Sequence, residues 1–451
     1  MAFSLNRRRF IETLGVTAAG ASSCSWFPQL ASAAATDPKR RRSCILLWMG
    51  GGPSQTDTFD MKPQHENGGE FKENATSVPG LRFSEHLPGL AKHADQLAVI
   101  RSLSTKEGDH GRGTHLMRTG KPPMGAINYP FVGSALGKEL AETIDSLPPY
   151  VSIGQNTMFG SEAFGPGFLG PKYAPLVVGS AGTSGASLAS IVGLENNNSG
   201  FAKLQVNSIA PPAGVSKEQM RERLEVWREL EGNFLKNHPA AASHAHRTVY
   251  DNTLKMISSD ASSAFDLSQE PEALRTAYGK GVFGQGCLLA RRLVERQVPF
   301  VEVSLNSATS GGVGWDNHSN IFESVKNLSA ELDAGWSSLM TDLKDRGLLE
   351  TTTIVWMGEF GRTPKINGSG GRDHFPQAWS CVLAGGGIAG GQAYGKTSAD
   401  GLHVEENKVD VSDVLATICS AVGVEPDTEN LANTGRPIPI VDGSPISELL
   451  S

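Results

Sequence analysis

Asp316 and His318 stand two residues apart in the segment Gly314-Trp315-Asp316-Asn317-His318. That spacing points both side chains the same way from an extended chain and apart from a helix. An extended Asp-x-His can therefore grip one cation, and imidazole with carboxylate suits zinc, manganese or iron better than calcium. The same residues also fit a plainer role, with Asp316 capping a helix and His318 on the surface ahead of the apolar stripe that begins at Ile321. His374, beside Asp373 and behind Gly371 and Arg372, offers another imidazole, although a loop His is as often a hydrogen-bonded structural residue. Glu359 follows the apolar run Ile354 to Met357, where a carboxylate must be exposed, paired or bound to metal. Arg362, three residues on, supplies either a pairing partner or a grip on an anionic substrate.

The elements that must position these residues are legible as apolar runs. Cys44 to Met49 is continuous and stops at Gly50-Gly51-Gly52-Pro53, the pattern of a strand buried on both faces. Similar runs recur at Leu97 to Leu103, Val298 to Leu305, Thr352 to Met357 and Ser380 to Ala384. Between them lie helical stripes. Ser216 and Gln219 form a capping box ahead of Met220, Leu224, Trp227, Leu230 and Phe234. Ile321, Val325, Leu328, Leu332, Leu339 and Leu343 form another, ending near Gly347 as a C-cap. Strand runs alternating with helical stripes predict an α/β fold, a three-layer sandwich with a mainly parallel central sheet. In such sheets ligands sit beyond the carboxyl ends of the strands. The first run leads to Asp57, the second to Asp109-His110, and later ones to Asp316-x-His318, Glu359-x-x-Arg362 and Arg372-Asp373-His374. The Gly-, Pro-, Ser- and Asn-rich stretch near 148–215 reads as a loop-rich insertion in a single domain covering 36–451.

Two motifs are set aside. Gly385 to Gly390 spells G-x-G-x-x-G after a strand, but no helical stripe follows to present its N-terminus to a phosphate, so a tight turn is expected. No G-x-S-x-G elbow occurs, which argues against an α/β-hydrolase-type serine hydrolase.

The 451 residues carry a formal charge of -7, which excludes a nucleic-acid binder held by a general basic surface. Charged residues at 19% against 39% hydrophobic exclude a disordered chain. Five Cys without a C-x-x-C give neither a disulfide framework nor a zinc ribbon. At the N-terminus, Arg7-Arg8-Arg9-Phe10-Ile11, a weakly apolar run and Ala31-x-Ala33 resemble a twin-arginine export signal over 1–35. The run is too short and too broken by Gly15, Gly20 and Ser22 to span a membrane. Cys24 is not expected to be a lipoprotein site, because Ala21 stands where Leu is usual. A periplasmic or secreted protein exported by the twin-arginine machinery is expected. Such cargo crosses folded, often already loaded with a cofactor, which fits a divalent metal, zinc or manganese, in the mature chain.

The segments WMGGGPSQTDTFDMKP, GDHGRGTHLMRTG, GPGFLGPKYAPL, GWDNHSN, GEFGRTP, GRDHF, LAGGGIAGGQAYGKT and GRPIPIVDGSPISELL, in this order, resemble the exported domain-of-unknown-function 1501 family, related to the alkaline phosphatase and sulfatase superfamily. The resemblance implies a central α/β sandwich with a two-metal site at the strand ends and hydrolysis of phosphate or sulfate esters. It lays His110 to Gly120 on the sulfatase stretch that carries the nucleophile, with His110 where Cys, Ser or Thr is expected. Asp316, His318 and His374 fall near metal-ligand segments, and Glu359 falls where an Asp precedes a His, which is Phe360 here. The chain departs at Gly51, where an Asp ligand is expected, so that Asp57 or Asp60 must substitute. Asp316-x-His318 is also shorter than the usual separation. Either the site is rebuilt around one metal or it no longer does this chemistry.

Two functions follow. The first is an exported metal-dependent hydrolase of an anionic small-molecule or polysaccharide ester. There Asp57, Asp316, His318, Glu359 and His374 hold metal, Arg362 or Arg372 neutralises the anion, and His110 or a metal-bound water is nucleophile or base. The second is a non-catalytic binding or scaffold protein on the same fold.

Overall fold

In a computed structural model, the described residues are 42–451 apart from 124, 126, 142–146, 159, 181–199, 207–213, 238–246, 248–250, 252–255, 257–259 and 310–311. The export segment expected over 1–35 lies outside them. Among the described residues, no helix is long and apolar enough to cross a membrane.

Six consecutive fully buried residues make Ser43–Trp48 (β1) the middle of a nine-stranded sheet. The other strands are Leu97–Leu103 (β2), Tyr150–Ile153 (β3), Leu176–Ser180 (β4), Leu204–Val206 (β5), Phe300–Ser304 (β6), Thr352–Met357 (β7), Trp379–Gly385 (β8) and Gln392–Tyr394 (β9). Their order across the sheet is β9-β2-β8-β7-β1-β6-β3-β4-β5. β1 pairs in parallel with β7 and with β6, and β6, β3 and β4 continue in the same direction. β8 runs against β7 and β2, and β5 runs against β4.

Side chains alternate across this sheet into two cores, as strand geometry requires. Ile45 and Leu47 face one core, shared with helices α5 (Val282–Glu295) and α6 (Ile321–Asp345). Cys44, Leu46 and Trp48 face the other, shared with α1 (His110–Thr119), α2 (Val132–Leu140) and α7 (Val411–Ala421). Both faces are thus covered, and the sheet is the middle of three layers. The two remaining helices among the described residues are α3 (Lys217–Asn237) and α4 (Glu272–Ala277). The expected capping box closes α3, where Ser216 N donates to Gln219 Oε1 at 3.1 Å and Gln219 N to Ser216 Oγ at 3.2 Å.

The stretch near 148–215 differs from its expected role as a loop-rich insertion, because it supplies β3, β4 and β5. These strands are three to five residues long, too short for an apolar run to stand out. Gly385 to Gly390 forms the expected tight turn, leading from β8 into β9 and not into a helix.

The opposed direction of β8 shapes the functional rim. β1, β2, β6 and β7 deliver the residues that follow them to that rim, whereas β8 delivers the residues that precede it. His374, five residues before β8, therefore arrives beside segments that leave the parallel strands.

Candidate metal centre

His110 is the first residue of α1, whose N-cap Asp109 accepts from the Arg112 amide at 3.0 Å. Asp316 and His318 lie in the loop between β6 and α6. That loop is laid over the turn after β1, where Trp315 N donates to Gly50 O at 2.9 Å. Gly51 has φ +104°, and a Cβ there would sit 2.3 Å from the Asp316 amide nitrogen. The close approach that brings Asp316 in thus excludes a side chain at residue 51, the place where the family resemblance implied an Asp ligand. His374 and Phe375 pair with Gly361 and Arg362 in a short antiparallel ribbon, which puts His374 next to the end of β7.

These segments converge on one oxygen. Asp316 Oδ1 lies 3.0 Å from His318 Nε2, 3.3 Å from His110 Nε2, 3.4 Å from His374 Nε2 and 2.6 Å from Arg362 Nη2. His318 Nε2 and His374 Nε2 are themselves 3.1 Å apart. Single ligand atoms of His110, Asp316 and His374 all lie within 4.8 Å of one another, a grouping able to hold a metal ion.

The far side of each imidazole is fixed. His110 Nδ1 meets Glu359 Oε1 at 2.6 Å, His318 Nδ1 meets Asp373 Oδ1 at 2.9 Å and His374 Nδ1 meets the Gly108 carbonyl at 2.8 Å. Carboxylate and carbonyl oxygens only accept, so each Nδ1 carries the hydrogen, and a ring that holds no second proton turns the lone pair of Nε2 to the centre. Such outer partners are how proteins orient metal-ligating histidines. Zinc-to-nitrogen bonds of about 2.0–2.1 Å in a tetrahedron give ligand-to-ligand edges of roughly 3.3–3.4 Å. The 3.0, 3.1 and 3.4 Å edges of Asp316, His318 and His374 fall close to that. The donor set fits a divalent zinc-like or manganese-like ion.

Electrostatics follows from the same contacts. Burial disfavours a charged His110, but hydrogen bonds to Asp316 and Glu359 outweigh it and raise its pKa to about 9. Burial likewise opposes ionisation of Asp316, yet His110, His374 and Arg362 hold its carboxyl well below the usual carboxylate range. Burial lowers the Arg362 pKa against the opposing pull of Asp316. The hydrogen bond from His318 lowers that of Asp373.

Among the residues expected at the site, the structure gathers His110, Asp316, His318, Glu359, Arg362 and His374. Glu359 stands behind His110, and its Oε1 also accepts from Gly51 N at 2.9 Å. Its buried Oε2 has no hydrogen-bond partner among the described residues. The expected metal ligand Asp57 and the expected anion clamp Arg372 are not brought there, because they neutralise each other at 2.8 and 2.9 Å with both side chains fully buried. Asp60 is taken by Lys62 at 2.9 Å and by Thr397. Arg362 has a wholly buried side chain and gives its hydrogens to Gly52 O, Gly51 O, Arg372 O and Asp316, with Nη1 also 3.4 Å from His318 Nε2. Its fully buried guanidinium braces these loops against one another. The helix-cap role for Asp316 is also excluded, since Asn320 with φ 48° holds the N-cap position of α6. Asp373 as the partner of His318, and the Gly108 carbonyl as that of His374, carry no signal in the sequence beyond their nearness to candidate residues.

Residues 41–450 match the family described as "Protein of unknown function (DUF1501)". No functionally curated protein matches the chain. Among solved structures, similar ones include the lipoteichoic acid synthase LtaP from Listeria monocytogenes, at 9% identity and TM-score 0.42 over 94% of this chain and 82% of that one. The phosphonate monoester hydrolase of Agrobacterium radiobacter matches at 12% identity and TM-score 0.40 over 91% and 77%. The PsFucS1 sulfatase from Pseudoalteromonas sp. matches at 13% identity and TM-score 0.39 over 89% and 72%. With TM-scores below 0.5, these likenesses leave function to be argued from the atoms of the site.

Proposed function

Because the chain belongs to the DUF1501 family, described only as proteins of unknown function, we propose its activity from the site itself: an exported, metal-dependent hydrolase of phosphate or sulfate esters. The observation that carries the reading is the convergence of three oriented imidazole Nε2 atoms on Asp316 Oδ1, each ring fixed from behind through Nδ1. Asp316, His318 and His374 hold the ion, zinc or manganese, and His110 joins them as a ligand in place of the nucleophile role first expected of it. A divalent cation there supplies Lewis acidity toward an ester oxygen and a hydroxide source at neutral pH. Glu359 keeps the His110 ring in one tautomer, and Asp373 does so for His318. The half-exposed His318, with a side-chain relative exposure of 45%, is the cluster's face toward solvent and toward an anionic small-molecule or polysaccharide ester. Export by the twin-arginine machinery to the periplasm or medium, and a single hydrolase domain over 36–451, belong to the same proposal.

A second reading, a non-catalytic binding or scaffold protein, is favoured by one observation. Arg362 and Arg372, the cations expected to neutralise a substrate anion, are both buried and already paired. Elemental analysis of the mature chain after loading with zinc or manganese tests the first reading. About one equivalent per chain is expected, and less than a tenth of an equivalent sinks it. Saturable phosphatase or sulfatase turnover that disappears in Asp316→Ala excludes the second.

A further inference from the structure

Away from the rim, inside the core shared by α1 and β6, lies a charged cluster with no exposure. The side chains of Arg118 on α1 and Glu302 on β6 are both 0% exposed. Arg118 Nη1 donates to Glu302 Oε1 at 3.1 Å and Nη2 to Oε2 at 2.7 Å, a two-pronged fork. Tyr150 on β3 donates its hydroxyl to Glu302 Oε2 at 2.5 Å, and Arg118 Nε donates to Ala163 O at 3.0 Å. The guanidinium carbon sits 3.9 Å from the Phe131 ring centroid and 3.8 Å from that of Phe164.

A buried ion pair is weak evidence for stability, because apolar residues of similar volume in its place are often neutral or better. What the fork supplies is geometry. Bidentate guanidinium-carboxylate pairing fixes both distance and angle between the elements that carry it. α1 begins with His110, eight residues or roughly 12 Å along the helix from Arg118, and β6 runs directly into the loop that carries Asp316. A slide of α1 by one residue moves it about 1.5 Å and turns it by about 100°, enough to take His110 off Asp316 Oδ1.

We propose that Arg118 and Glu302 are positioning residues that lock the register of α1 against β6 and thereby set His110 against Asp316. This rests on the metal-centre reading above. It assigns the pair no contact with metal or substrate.

The test separates geometry from stability in the full chain. Zinc affinity is measured by competition with a chromophoric chelator, alongside Tm, for wild type, Arg118→Met, Glu302→Leu, the double variant and Arg118→Lys. Each single apolar change is expected to lower Tm, since it strands one buried charge. The double variant is expected to recover Tm while binding zinc at least tenfold more weakly than wild type. Wild-type zinc affinity in a folded double variant overturns the proposal. Should the double variant fail to fold, Arg118→Lys decides, because it keeps the charge and loses the fork. Several-fold weaker zinc binding at near-normal Tm supports the proposal, and unchanged binding overturns it. A wild-type chain that takes up no zinc removes the metal-centre reading itself, and this inference with it.

Discussion

His318 and His374 face each other through their Nε2 atoms at 3.1 Å, and each ring already donates from Nδ1, to Asp373 and to the Gly108 carbonyl. Two lone pairs at that distance repel unless a cation or a proton lies with them. Divalent metal should therefore stabilise the fold, by about 2.7 kcal/mol when present at a hundredfold its Kd. Thermal unfolding with and without a chelator checks this. The expected metal-dependent rise in Tm should vanish in His374→Ala, and a rise of equal size in that variant counts against the centre.

Glu359 orients His110 without entering the cluster of Nε2 atoms. Glu359→Gln keeps an acceptor for Gly51 N and removes the charge behind the imidazole. Metal affinity is expected to fall about 10–100-fold, the usual cost of losing an outer partner, and the metal-free protein should lose the part of its stability that the Glu359 carboxylate gives to protonated His110. Competition titration gives the first quantity and calorimetry the second.

The raised pKa of His110, about 9 in the fold against an ordinary 6.5, carries two pH dependences. In metal-free protein the protonated ring stabilises the fold fully below pH about 6.5, and this contribution is lost as pH rises through about 9. Metal must displace that proton, so apparent affinity should increase up to tenfold per pH unit over the same window and level off above it. Chelator-treated Tm and metal Kd measured from pH 6.5 to 9.5 should therefore both fall as pH rises, and His110→Gln should flatten both.

Asp57 and Arg372 give a contrasting prediction. Asp57→Ala leaves a fully buried guanidinium without its carboxylate, which should cost about 3–5 kcal/mol of stability. Metal stoichiometry per folded chain should stay at the wild-type value. A variant that keeps wild-type stability but loses its metal would return Asp57 to the ligand set.

Gly51→Ala isolates the backbone approach that brings in Asp316. At φ +104° and with its Cβ 2.3 Å from the Asp316 amide nitrogen, alanine should destabilise by at least about 1–3 kcal/mol and weaken metal binding. Chemical denaturation and metal titration measure the two effects.

The Asp316-x-His318 pair is legible from spacing, since only an extended chain lets both side chains reach one point. The five strongest apolar runs likewise announce the sheet, because strands buried on two faces need continuous apolar sequence. Direction is not encoded there: β8 is as apolar as its parallel neighbours, so its reversal, and with it the delivery of His374, appears only in the pairing. Asp57 is misread for a related reason. A carboxylate after a strand looks the same whether it meets a metal or an arginine, and here its arginine is 315 residues away. The Arg118 and Glu302 fork is hidden by the same kind of distance, 184 residues.

The antiparallel course of β8 also bears on the order of events in folding. Gly108 and His374, which meet in the site, are 266 residues apart in the chain, and contacts of such separation are slow to form because loop closure precedes any gain. The donor set is therefore complete only once these distant segments have met. On the metal-centre proposal, the ion taken up is therefore one available to the chain once its sheet is completed.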